Sequence, residues 1–459
     1  MRLASFIFPI VFLAGYLLYR LNAPDVVYLP GALNLLTLFV SLWLSLTIRN
    51  GYARGVCLFW AVWFVLGSIS LFAQNQLHTG LNYKFPPEVP NQFYLSCVLA
   101  GTTAIKLLEL MLAATAPAQP PVLERGSNPV VWGFLLIFPL LYAGSIIAAT
   151  GTIPIFSGRN VSAEMYEVNY GPLYAFGIFV TVVCIMLWMK SGSAQSFASR
   201  PPVKYGAIAL LAFMLVTAVI DGRRALAIFS LFGIILYSTA QAGQRGRWLQ
   251  ITLVAGLALV GYVTAAAVRA GGAAADAFDS IWEPLSTVGT EYRDFAYAFA
   301  RLSPEQVRSA GYDWFGSTIA TLTPTPILTA FGFDKAALVQ TDSARTLMQF
   351  FNVELGIRIG LPGELWFAYG WSAVAVFALF GMVVYLTAWL AMRTNHFVYR
   401  AILLTLLALW AASVLGQSTV TFGLLLPLVY LSLLVRLIEF VVRPPRRARP
   451  IRVEAPVAR

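Results

Sequence analysis

The stretch VCLFWAVWFVLGSISLFAQ at 56–74 runs for nineteen residues without a charged side chain. As an α-helix rising about 1.5 Å per residue, it would reach across nearly all of the ~30 Å hydrocarbon core of a bilayer. Eleven further apolar stretches read the same way, near 3–19, 31–48, 93–114, 129–149, 172–189, 205–220, 225–241, 249–268, 364–392, 399–415 and 419–440. The first follows Arg2 as a signal peptide would. Tyr19, Arg20 and Leu21 supply no small-residue cleavage site after it, so it reads as a retained span. The stretches 205–220 and 225–241 are separated by Asp221, Gly222, Arg223 and Arg224. Those charges would be costly at the bilayer centre, so they mark a turn at its surface.

Composition agrees with this count. Of 459 residues, 59% are hydrophobic and 11% are charged, against roughly 25% charged in soluble domains. The mean hydropathy is +0.75. A soluble enzyme and a disordered chain are both excluded. The expected fold is an all-α polytopic membrane protein of about 12 transmembrane helices, with nine in residues 1–268 and three in 364–442.

The formal net charge of +11 would suggest an acidic partner in a soluble protein. Placing the N-terminus inside assigns it differently. The cytoplasmic segments then hold 18 basic and 3 acidic residues, the opposite side 12 and 16. Every short cytoplasmic connection carries a basic residue, as the positive-inside rule requires. Both termini are therefore expected in the cytoplasm, with the Arg- and Pro-rich tail 443–459 resting on anionic lipid and no nucleic-acid partner.

Three external segments are longer than turns: 75–92, 150–171 and 269–363. The last reads as one large helical loop. Ser286 is placed to cap a helix running through Glu291 and Phe299, and Ser303-Pro304-Glu305 is a second helix start. Aromatic residues recur through it, which predicts packing on the membrane surface or on the bundle.

Cys57, Cys97 and Cys184 lie in or beside spans without metal-ligand spacing and read as packing residues. No phosphate-binding loop, dinucleotide fingerprint or zinc motif is present, so no cofactor and no metal are expected. Lys106 and Glu109 lie three apart on one helix face and read as a structural pair. What remains for chemistry is a set of external arginines and carboxylates: Arg159, Arg223, Arg224, Arg269, Arg293, Arg345 and Arg358, with Asp342, Glu354 and Glu364. Guanidinium forks suit phosphate or carboxylate and keep their charge beside an apolar core, as a lipid-linked pyrophosphate would need. Arg159 and Arg345 stand out because each lies in a loop rich in Gly, Asn or Ser. Arg224 stands out because it opens a span beside Arg223.

Four stretches resemble the bacterial Wzy-type O-antigen and exopolysaccharide repeat-unit polymerases. IPIFSGRN at 153–160 is similar to the proline-containing start of an external loop in that family. DGRRALAIF at 221–229 is similar to its basic turn into a helix. GYDWFGSTIATLTPTPI at 311–327 resembles its large-loop pattern, and PGELWFAYGW at 362–371 the opening of the helix after that loop. The resemblance covers roughly half the chain. It implies a GT-C-like glycosyltransferase of the bacterial inner membrane, acting at the periplasmic face on undecaprenyl-diphosphate-linked donor and acceptor glycans. It also implies chain-length regulator and flippase proteins as partners. Under it, Arg159, Arg223, Arg224 and Arg345 would grip pyrophosphates, Glu354 or Asp342 would deprotonate the acceptor hydroxyl, and Glu364 would orient an arginine.

Two departures stand against a close match. The spacing from Arg159 to Gly171 does not repeat between Arg345 and Gly356 or Gly360. The large loop also lacks histidine, whereas the related O-antigen ligases use one there, which shifts the expectation from ligase to polymerase. A ligase-like transferase, a lipid or polysaccharide transporter and a noncatalytic assembly scaffold remain as the other readings.

Overall fold

The computed structural model describes residues 31–77, 88–112, 205, 289–339, 342–352, 357–394, 396–415, 418–423 and 425–441. Among them the fold is all helical, with no strand. The helices are α1 (Ala32–Thr47), α2 (Gly51–Leu77), α3 (Glu88–Leu112), α4 (Thr290–Arg301), α5 (Pro304–Ser309), α6 (Trp314–Leu322), α7 (Thr325–Ala330) and α8 (Lys335–Val339). They continue with α9 (Ser343–Phe351), α10 (Gly360–Tyr369), α11 (Ala373–Arg393), α12 (Phe397–Ala412), α13 (Ser418–Gly423) and α14 (Leu425–Val441). Among the described residues, four segments are long and apolar enough to cross a membrane: Gly51–Ala73, Glu88–Leu112, Gly360–Arg393 and Thr421–Ile438. They fall on expected spans. The α10–α11 segment begins at Gly360 rather than 364 and bends through a 3-10 turn at Gly370–Ser372. The expected spans at 3–19, 129–149, 172–189, 225–241 and 249–268, and all but residue 205 of 205–220, lie outside the described residues.

Helix α1 turns the soluble pattern inside out. Its buried face carries Asn34, Thr37, Ser41 and Ser45 beside Leu35 and Leu38, while Leu33, Leu36, Val40, Trp43 and Leu46 point outward. The three hydroxyls donate back to the carbonyls of Leu33, Thr37 and Ser41 at 2.9, 2.8 and 2.6 Å. Hydroxyls satisfied within their own helix inward and large apolar side chains outward suit a surrounding of hydrocarbon, where burying Leu gains little and close helix approach gains more. This is the pattern of a membrane-embedded protein.

Helices α3 and α11 cross closely. A Cβ on Gly381 would lie 2.5 Å from the Gly101 carbonyl oxygen, so two glycines let the backbones meet. Trp60 and Phe377 close around the crossing with ring centroids 5.0 Å apart. Helix α4 lies against the bundle with Tyr292 edge-on to Phe64 at 5.0 Å and to Tyr94 at 5.2 Å. Its N-terminus replaces the expected Ser286 cap with Gly289 at φ 68, pressed on the Gly67 backbone; Ser286 itself lies outside the described residues. The start at Ser303 is as expected, a complete capping box with Gln306 and Pro304 at the first helical position.

Basic residues collect at one end of the bundle. Lys106 Nζ donates to Thr47 O at 2.7 Å and to Glu109 at 2.8 Å. Glu109 also accepts from the backbone N–H groups of Arg49 and Asn50 at 2.7 and 2.8 Å, and Arg54 lies within its electrostatic reach. Arg400 is close to Tyr52 and donates to Thr394 O, next to Arg393. Arg436 donates to Tyr399 at 3.0 Å. The Lys106–Glu109 pair therefore clamps the α1–α2 turn.

Candidate functional site

The opposite end is built around Glu364, in the first turns of α10 and only 1% exposed. Gly360 lets this helix start hard against the chain just past the end of α12: at φ 64, its Cβ position lies 2.5 Å from Val414 O. Leu361 N then donates to Ser413 O at 2.8 Å. Glu364 Oε1 accepts from Ser343 Oγ at 2.7 Å, and Oε2 from the Ser418 backbone N–H at 3.0 Å. Its carbonyl oxygen accepts from Tyr312 Oη at 3.0 Å, and Ser418 Oγ accepts from Trp314 Nε1 at 2.8 Å. The carboxylate thus ties α9 and α13 to α10, while the entry to α6 is held by the Glu364 backbone carbonyl and by Ser418. Among the described residues no arginine bonds to the Glu364 carboxylate; a hydroxyl and a backbone N–H reach its two oxygens.

Asp342 and Arg345 meet beside this junction. Asp342 is the N-cap of α9, and its side chain accepts from Arg345 N at 2.9 Å. That cap satisfies one of the donors that every helix start leaves open. Burial pushes the Asp342 carboxyl above its ordinary range, while the Arg345 N–H and guanidinium pull it back. Arg345 is exposed on the first turn of a helix, not in an open loop as its sequence context suggested.

A second charged group lies on α4. Arg293 Nε and Nη2 donate to Asp294 Oδ1 at 3.0 and 2.9 Å, with Arg358 within electrostatic reach of the same carboxylate. Burial raises the Asp294 carboxyl, opposed by these two guanidiniums.

Of the residues expected to act, Asp342 and Arg345 come together, with Glu364 one residue from them through Ser343. Arg159, Arg223, Arg224 and Glu354 lie outside the described residues. Sequence reasoning missed Asp294, Ser343, Ser418 and Tyr312. Adjacency to Arg293 was an available signal for Asp294. A lone Ser or Tyr in an apolar context carries none. Among the described residues, no three His, Cys, Asp or Glu side chains are placed to hold a metal. Cys57 and Cys97 are buried. The group can therefore offer carboxylate proton transfer at Asp342 and anion binding at Arg345, on a scaffold fixed through Glu364. No protein-family model, curated protein or solved structure matches the chain.

Proposed function

We propose that the protein is a membrane glycosyltransferase that joins lipid-diphosphate-linked oligosaccharide repeat units, working at the face that carries α4–α9. In full, the reading is a polymerase of about 12 spans in a bacterial inner membrane, with both termini cytoplasmic and the large loop periplasmic. The observation that carries it is the placement of Asp342 and Arg345 on one helix start, latched by Ser343 to the buried Glu364 of a membrane helix. This arrangement suits glycosyl transfer to a hydroxyl from a diphosphate leaving group. A carboxylate takes the acceptor proton as the new glycosidic bond forms. The old anomeric C–O bond breaks toward the diphosphate, whose charge needs fixed cations more than it needs an acid. Arg345, with Arg159, Arg223 and Arg224, would supply those cations, and Asp342 or Glu354 would be the base.

The transporter reading would assign the in-span ionisable pair Lys106–Glu109 to ion coupling. Its hydrogen bonds to Thr47 O, Arg49 N and Asn50 N instead support a structural clamp. Purified protein supplied with lipid-linked repeat units alone is expected to make longer glycans. A folded preparation that makes none overturns the reading. In a polymerase-null strain, normally expressed Arg159→Ala and Arg345→Ala variants should lose long-chain glycan; if both retain it, these sites are wrong.

A further inference from the structure

The twenty residues between Asp313 and Asp334, WFGSTIATLTPTPILTAFGF, hold no charged side chain. Neither helix within them can cross a bilayer: α6 has nine residues and α7 six. The chain goes out along α6, breaks at Pro324 and ends α7 at Gly332, φ 78, with Phe333 N donating to Leu328 O at 3.0 Å. Helix α8 then returns against α6, and Lys335 Nζ donates to Thr323 O at 2.8 Å. The result is a closed apolar hairpin.

One side of α6 is seated on α13 through the Trp314–Ser418 hydrogen bond, the Trp314–Phe422 ring contact and Thr321 against Gly423. The other side presents Phe315, Ile319 and Leu322 at helical spacing, continued by Ile327, Phe331 and Phe333, all exposed. Phe315 is 61% and Phe331 74% exposed. A contiguous bare patch of this kind marks a surface made for another phase or partner.

Two observations favour hydrocarbon as the occupant. First, three of the hairpin's threonines close on their own backbone: Thr321, Thr323 and Thr329 donate to Ser317 O, Ile319 O and Thr325 O at 2.7, 2.8 and 3.0 Å. A segment leaving water needs its polar groups satisfied internally. Second, the α13 on which α6 is seated leads into α14, a candidate span whose Val429, Leu433 and Leu437 also face outward.

We propose that Trp314–Phe333 is a membrane-dipping hairpin whose Phe315, Ile319 and Phe331 face contacts phospholipid acyl chains, with Asp313 and Asp334 marking the water boundary at its two ends. Because Trp314 and Glu364 share Ser418, the hairpin holds the Asp342–Arg345 helix start close to the lipid surface. The inference stands independently of the glycosyltransferase reading.

The test uses the unsubstituted chain in vesicles of phosphatidylethanolamine and phosphatidylglycerol doped with a phospholipid carrying a diazirine in its acyl chain. After irradiation, lipid adducts are expected on the peptide 309–335, which Arg308 and Lys335 delimit, as well as on 425–436. Adducts on 425–436 with none on 309–335 would overturn the proposal. So would chain-to-chain crosslinks through 309–335 in place of lipid adducts, which would assign the face to a second copy. A second measurement places an environment-sensitive dye at Phe331→Cys or Glu305→Cys, in a background where Cys57, Cys97 and Cys184 are alanine. Acyl-chain spin-labelled lipid should quench the dye at 331 and leave it bright at 305; equal quenching at both sinks the idea.

Discussion

Ser343 Oγ donates to Glu364 Oε1 at 2.7 Å across 21 residues of chain, and the carboxylate is almost completely withdrawn from solvent. This bond anchors the helix start that bears Asp342 and Arg345 to a membrane helix. The Ser343 and Ser418 contacts depend on a side-chain acceptor at position 364, whereas Tyr312 uses the backbone carbonyl there.

Glu364→Leu should therefore destabilise far more than Glu364→Gln. The amide oxygen can still accept from Ser418 N, and the Ser343 hydroxyl can turn to accept from the amide nitrogen. Leucine leaves both donors buried without an acceptor, at about 1–3 kcal/mol each. Thermal midpoints of the purified variants in detergent check this; equal midpoints for Leu and Gln would remove the role assigned to Glu364.

Asp342→Asn separates stability from chemistry. Asparagine caps a helix about as well as aspartate, so the fold should be kept. Burial raises the native Asp342 carboxyl, so the folded state binds its proton more tightly than the unfolded state does. That stabilising contribution is present below the ordinary carboxylate range and lost as pH rises through the raised value. The variant should be at least as stable as the parent at neutral pH, with the gap closing as pH falls toward about 4. If Asp342 is the base, glycan elongation is lost in the same folded protein.

Gly381→Ala tests the α3–α11 crossing. Its Cβ would fall 2.5 Å from Gly101 O and 2.9 Å from Gly101 Cα, both rigid backbone atoms. The helices must separate, which should cost about 1–3 kcal/mol. A lowered thermal midpoint without a change in where Asp342 and Arg345 sit is the expected outcome.

Glu109→Ala removes the acceptor of two backbone N–H groups and of Lys106 together. Leaving a partly buried cation without its counterion and two backbone donors without an acceptor should cost about 3–5 kcal/mol, read as loss of monodisperse protein on gel filtration. Lys106→Met should be milder, since Glu109 keeps its two backbone donors. A stable Glu109→Ala protein with only transport impaired would return the pair to ion coupling.

Parts of this architecture were legible from local pattern. The spans that coincide with described helices follow from apolar length. The Ser303 start follows from a cap, a proline and an acid within four residues, and the Lys106–Glu109 pair from spacing on one helix. Glu364 was legible as a charge near a helix start, but its described partners, Ser343 and Ser418, were not. A carboxylate at a membrane interface and one sealed among hydroxyls have the same sequence context. Arg345 was misplaced for a similar reason, because its neighbours Asp342 and Ser343 serve equally in a loop and as a cap.

By itself the chain's sequence determined what is local: where apolar length is sufficient for a helix to cross, where basic residues flank those helices, and where helices begin. Only the tertiary structure decided that Glu364 joins Ser343 to Ser418, that two glycines 280 residues apart share one crossing, and that the hairpin after Asp313 keeps a bare apolar face. The physical reason is range. Hydrophobic length and capping act between residues a few positions apart, whereas a buried hydrogen bond or a backbone contact depends on which distant segments the packing brings within 3 Å.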